Sequence, residues 1–182
     1  MISWRRSPLE STIDALYGAI VAQARRPIFY AEFGVPDTVE GRFEMVVLHQ
    51  ALTARRLARD PAAQRLGAAL FDRFCRDLDH NLREMDVGDL TVPKKMRSFA
   101  EAYFGRARSY DWALTARDPD ACVAAVARNV FGLATPSAGA ARLGHYMEAA
   151  ARALDELSAA TLSQGTLRFP DPTTIPVAVA PA

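Results

Sequence analysis

Apolar positions recur at three- and four-residue intervals along most of the chain, the spacing that gathers side chains on one face of an α-helix. From Pro8 to Arg25 the stripe is Leu9, Ile13, Leu16, Ile20 and Ala24, with Ser7 placed to cap the helix and Pro27 to stop it. From Val39 to Arg59, Phe43, Val47, Gln50, Ala54 and Leu57 form one stripe, which Met45, Leu48 and Leu52 widen. That width predicts a central helix, capped by Asp37 or Thr38. Asp60-Pro61 is a cap and first-turn pair opening a third helix with Leu66, Leu70, Phe71, Phe74, Cys75, Leu78 and Leu82 inside and Asp72, Arg73, Arg76, Asp79 and Arg83 outside. The clearest amphipathic signal starts at Pro93 and runs through Met96, Phe99, Ala100, Tyr103, Ala107, Tyr110 and Leu114. Asp118-Pro119 repeats the capping device before Val123, Val126, Ala127, Val130 and Phe131, and Leu143, Met147, Ala150, Leu154 and Leu157 mark a last, alanine-rich helix.

The pattern breaks in three places. Ile28 to Thr38 is aromatic, short and closed by Gly34 and Pro36, which reads as a single turn or loop between helices. Gly88 interrupts Met85 to Val92, and Pro93 restricts Val92 to an extended conformation, so this stretch reads as a charged connector. Beyond Gln164 the periodicity fades into a segment with Pro170, Pro172, Pro176 and Pro181. The expected fold is all-α: a single-domain helical bundle of about six helices over 1–163, with an irregular Pro-rich tail over 164–182. No internal repeat is visible.

Composition narrows the function classes. Twenty-two basic and 21 acidic side chains leave a net charge of +1, so no overall field draws the protein onto DNA or anionic lipid, and such contacts must come from local patches. Cys75 and Cys122 are far apart and lie in apolar helical patterns, which predicts reduced thiols and a cytoplasmic-type compartment. The opening Ser3-Trp4-Arg5-Arg6-Ser7-Pro8-Leu9 looks like the start of a twin-arginine signal, but Glu10 and Asp14 interrupt the apolar run that an export signal needs. No window of roughly 18 apolar residues is present.

Catalytic and metal chemistry find little support in the motifs. Di-iron bundles need paired Glu-x-x-His motifs, and only Asp77-Leu78-Asp79-His80 approaches that spacing, with Asp in place of Glu and no second copy. His49 and His145 stand alone on their helices, neither cysteine has a partner at metal-ligand spacing, and no nucleophile elbow or phosphate-cradling loop occurs. No cofactor, metal site or enzyme activity is therefore expected. Arg25-Arg26, Arg55-Arg56 and Lys94-Lys95-Met96-Arg97 could meet phosphates or headgroups, or could be solvated faces. The rings of Phe29, Tyr30 and Phe33 could close the bundle as a hydrophobic flap, or could wall a groove that receives an apolar helix.

Several stretches together resemble the ubiquinol-cytochrome c chaperone family. They are Tyr30 with Phe33-Gly34-Val35-Pro36-Asp37-Thr38, Gly41-Arg42-Phe43-Glu44, Leu48-His49, Leu70-Phe71-Asp72, Leu82-Arg83-Glu84-Met85-Asp86-Val87-Gly88-Asp89-Leu90, Lys94-Lys95-Met96, and Phe104-Gly105-Arg106 with Tyr110. They stand in the family's order between about Tyr17 and Phe131, with Glu84-Met85 departing where a small residue is expected after the glutamate. The resemblance implies an assembly factor for ubiquinol-cytochrome c reductase whose client is newly made cytochrome b or its assembly intermediates. Mitochondrial relatives work with a small partner protein and at the ribosome. The opening residues lack an Arg- and Ser-rich transit peptide, so the expectation here is a bacterial-type member, cytoplasmic or peripheral at the inner membrane. On that reading Phe29, Tyr30 and Phe33 supply apolar contact, Arg42, Lys94, Lys95 and Arg106 supply charge, and Asp86, Gly88 and Asp89 order the connector. Two rival readings stay open: a ribosome- or RNA-associated adaptor using the basic runs, and a haem- or metal-binding helical protein using His49, His80 or His145.

Overall fold

A computed structural model describes residues 7–84, 91–116 and 118–176. Eight helices follow one another among them: α1 (Pro8–Ala24), α2 (Pro27–Ala31), α3 (Val39–Ala58), α4 (Gln64–Glu84), α5 (Val92–Ala116), α6 (Pro119–Val130), α7 (Ala138–Asp155) and α8 (Ala159–Ser163). The six long ones build the bundle, α2 and α8 are single turns, and no strand occurs among the described residues.

The caps are those that the local chemistry favours. Ser7 and Glu10 form a reciprocal capping box at α1, and the side chains of Thr38, Asp118 and Ser137 accept backbone N–H groups at the starts of α3, α6 and α7. One expected start shifts. Asp60 Oδ1 accepts from Ala62 N in a tight turn, Ala63 is buried, and α4 begins only at Gln64, one turn later than Asp60-Pro61 implies.

The width of the α3 stripe has the expected consequence. Eleven of its 20 residues are buried, Gln50 among them, and α3 packs against α1, α4, α5, α6 and α7. Two close approaches at α7 fix the far side of the bundle. A methyl group at Gly144 would lie 2.9 Å from the Val123 backbone, and one at Gly139 would lie 2.1 Å from Phe33 O, so α6 and the α2–α3 loop can sit directly against α7.

Residues 164–176 are irregular apart from a 3-10 turn at Pro172–Thr174, yet they lie on the bundle. Leu167 and Phe169 pack on the core and Ile175 is buried. Arg142 Nε donates to Ile175 O at 3.1 Å, Gln23 Nε2 to Pro170 O at 3.1 Å, and Arg26 pairs with Asp171 at 3.0 Å. The segment thus bridges α1 and α7. Among the described residues no helix is long and apolar enough to cross a membrane.

Candidate functional site

Phe29 and Phe33 face inward. The Ile28 to Thr38 stretch holds a single helical turn, α2, followed by loop, as expected; Pro27 pre-sets that turn and Phe29 packs against His49 of α3. Phe29 and Phe33 are both 0% exposed. Phe29 meets Phe33, His49 and Tyr146 edge-on at centroid distances of 5.3, 5.7 and 4.9 Å, and the Arg142 guanidinium lies 4.2 Å from the Phe33 centroid. Gly34, at φ 71°, turns the chain so that Val35 N returns to Phe29 O at 3.1 Å. The flap reading describes these two rings, and the expectation that they wall an open groove is corrected: burying both is worth more than displaying them.

The other expected contact residues divide. Tyr30 is half-buried, donating to Ala24 O at 2.7 Å, with Arg42 5.4 Å from its ring centroid. Arg42 in turn pairs with Asp37 at 2.6 Å, an exposed pair that holds the Asp37 carboxyl below its ordinary value. Arg106 is turned inward and grips Glu44 with two nitrogens, at 2.6 and 2.5 Å. Glu44 is 8% exposed, and its burial pushes the carboxyl upward while Arg106 pulls it back. Arg106 therefore fastens α5 to α3, and its assignment as a free contact charge is corrected. Lys94 and Lys95 are exposed in the first turn of α5. Asp86, Gly88 and Asp89 lie outside the described residues.

His49 anchors a closed interior network. Its Nδ1 sits 2.7 Å from Met45 O, which can only accept, so Nδ1 carries the proton and Nε2 accepts from the Tyr146 hydroxyl at 2.8 Å. Tyr146 Oη accepts in turn from Gln23 Nε2 at 2.9 Å, and Phe169 covers the imidazole edge-on at 4.9 Å. The chain of bonds links α1, α3 and α7, and burial pushes the His49 pKa down to about 4. His80 is exposed beside Glu84 at 3.2 Å, His145 is exposed, and no group of three metal-type ligands occurs among the described residues.

The open apolar feature lies elsewhere, between α3 and α5. Phe43 and Phe99 meet at 5.3 Å near the starts of the two helices, and Arg55 pairs with Asp111 at 2.9 Å nearer their ends, so α3 and α5 run side by side in one direction. Along this seam is a cleft of about 840 Å³. Ala51, Ala54, Ala58 and Ala107 line it with methyl groups, Tyr103 and Phe104 add aromatic rings, and Arg55, Arg59, Arg108, Asp111 and Thr115 add polar and charged groups. Phe104 is 52% exposed and its ring lies tilted against Phe71 of α4, centroids 5.2 Å apart; Trp112, on α5 like Phe104, is 66% exposed. The exposed ring of Phe104 beside these alanines makes a surface with apolar area to lose on contact.

The amphipathic stripe of α5 runs through Tyr103, Ala107, Tyr110 and Leu114, and Phe104 and Trp112 fall off it. A large apolar side chain off the core stripe of a well-packed helix is the signal that marks this surface in advance. In the sequence Phe104 stands out only through the motif Phe104-Gly105-Arg106, and Trp112 belongs to no motif.

The fold and the cleft define an all-helical protein with an apolar surface groove rimmed by charge. The ubiquinol-cytochrome C chaperone family model matches residues 31–169, and the chain belongs to that family. Among solved structures it is similar to the crystal structure of the Cbp3 homolog from Brucella abortus, with 37% sequence identity, a TM-score of 0.85, and coverage of 93% of this chain and 94% of that one. Comparison with the curated proteins gives no match.

Proposed function

We propose that the protein is an assembly chaperone for ubiquinol-cytochrome c reductase, that its client is newly made cytochrome b, and that it holds an apolar part of that client against the α3–α5 groove. The observation that carries this reading is the family match over residues 31–169, supported by the likeness to the Cbp3 homolog along almost the whole chain. The groove is consistent with it, since a holding chaperone needs exposed apolar surface backed by a rigid frame. On this reading Tyr30, Arg42, Lys94 and Lys95 face lipid headgroups or the flanks of the client, a peripheral contact at the membrane. The role assigned is binding, with no catalytic step.

The test is an affinity pull-down of the full chain from membranes solubilised in mild detergent, with mass spectrometry and haem absorbance of the recovered material. Enrichment of cytochrome b, and its loss with a Phe104→Asp/Trp112→Asp double variant that retains wild-type helicity, is expected. Recovery of ribosomal proteins without cytochrome b would replace the client reading with the adaptor reading.

A further inference from the structure

We infer that the α3–α5 groove takes its client as an α-helix, seated through a face of small apolar residues and fixed by a carboxylate that pairs with Arg108. This rests on the chaperone reading above and specifies what that site recognises. The cleft follows α5 from Phe104 to Thr115, a span of about 16 Å, which is three turns of a partner helix. Its lining includes Ala51, Ala54 and Ala58 from α3 and Ala107 from α5, each presenting only a methyl group. A partner backbone can therefore come close, as small-residue faces allow between packed helices.

The walls decide against an extended peptide. A strand docks by adding its backbone hydrogen bonds to a free sheet edge, whereas both walls here are helices whose backbone groups are bonded internally. A helix satisfies its own backbone and can bury a whole face here, whereas an extended segment would gain no backbone pairing from these walls.

Charge then sets the selectivity. Arg55 already faces Asp111 at 2.9 Å and Asp155 at 3.5 Å, and Arg59 pairs with Asp155 at 2.7 Å. Arg108 lines the cleft, is exposed, and has no ion pair among the described residues. The unmatched charge at the groove is thus positive and stands between Phe104 and Trp112, one turn from each. A carboxylate on the small face of a docked helix would meet it in a partly dry setting.

The experiment uses the full chain in mild detergent and three labelled 18-residue probes, read by fluorescence anisotropy. The first is a Leu/Ala helix with one central Glu, the second carries Gln there, and the third is the Glu peptide broken by two prolines. Wild type should bind the Glu probe about tenfold more tightly than the Gln probe, and bind the proline-broken probe weakly or not at all. Arg108→Gln should remove the preference for Glu, and Ala54→Trp, which fills the cleft, should weaken both helical probes at least tenfold. If Ala54→Trp disturbs the far-ultraviolet spectrum, the more exposed Ala58→Trp takes its place. Equal affinity for the Glu and Gln probes overturns the carboxylate assignment, and binding unaffected by cleft-filling overturns the helix groove. Capture by vesicles of phosphatidylcholine with phosphatidylglycerol that the peptides do not compete would make this a lipid-facing surface and overturn the inference. Cytochrome b recovered in the pull-down with no probe binding would sink only the groove, whereas probe binding without cytochrome b would sink the client assignment.

Discussion

His49 makes the fold sensitive to acid. In an unfolded chain its imidazole titrates near 6.5, whereas in the native network it stays neutral until about pH 4. Between those values the unfolded state binds a proton that the folded state refuses, so stability is full above pH 6.5 and falls as the pH drops through 6 and 5. The loss approaches about 3 kcal/mol by pH 4, because each pH unit crossed between the two values removes about 1.4 kcal/mol. Glu44 works in the opposite sense, because its raised carboxyl lets the folded state keep a proton longer. The two are separated by a variant. Urea unfolding of wild type and His49→Gln at pH 7.5 and 5.0 should show wild type losing more stability on acidification, and parallel losses would mean that His49 does not control the effect. At this scale the sequence left the three histidines alike, since one histidine per helix looks the same whether its imidazole is wet or dry. Tyr146, 97 positions away, and Gln23 behind it made the difference.

Among the elements, the long helices were legible because a cap and a stripe at fixed spacing are local facts of the chain. The second helix was legible only as a turn or loop, since five residues are too few to show a period and its stability comes from docking Phe29 and Phe33. The glycines divide in the same way. Gly139 has Phe33 O only 2.1 Å from the position of a methyl group, so Gly139→Ala should cost about 2 kcal/mol or more, because backbone has to move. Gly105, in the interior of α5, has open space around it, and Gly105→Ala should add roughly 0.5–1 kcal/mol from helix propensity alone. Chemical denaturation of both variants checks the pair, and a stabilising Gly139→Ala would contradict the close approach of the α2–α3 loop to α7.

For the whole molecule, the segment after α8 is the least regular part and one of the more connected. It meets α1 through Gln23, the start of α2 through Arg26, α3 through the Phe169 contact with His49, and α7 through Arg142. Ending the chain after Gln164 uncovers the His49 network and should lower stability by about 3 kcal/mol, or about 6–12 °C in Tm for a protein of this size. Circular dichroism melting checks this, and an unchanged Tm would show that the segment only lies on the surface. Helix content should stay nearly constant, because the described residues among those removed, 165–176, hold only one 3-10 turn.

What the sequence determined by itself is what neighbours along the chain dictate: the all-helical class, the starts and stops set by Ser7, Thr38, Asp118 and Pro27, and α3 as the central helix. The ordered family motifs added the kind of protein. What only the tertiary structure decided is which face of each local feature meets another part of the chain. Phe29 and Phe33 went inward because α7 and His49 offer them a dry pocket, and Arg106 went inward because Glu44 needs a partner there. Phe104 and Trp112 were left outside because the core stripe of α5 was already filled by Tyr103, Ala107 and Tyr110. Periodicity reports how apolar residues are spaced along a helix, but burial depends on the surface that arrives opposite, and that surface comes from residues far away in the chain.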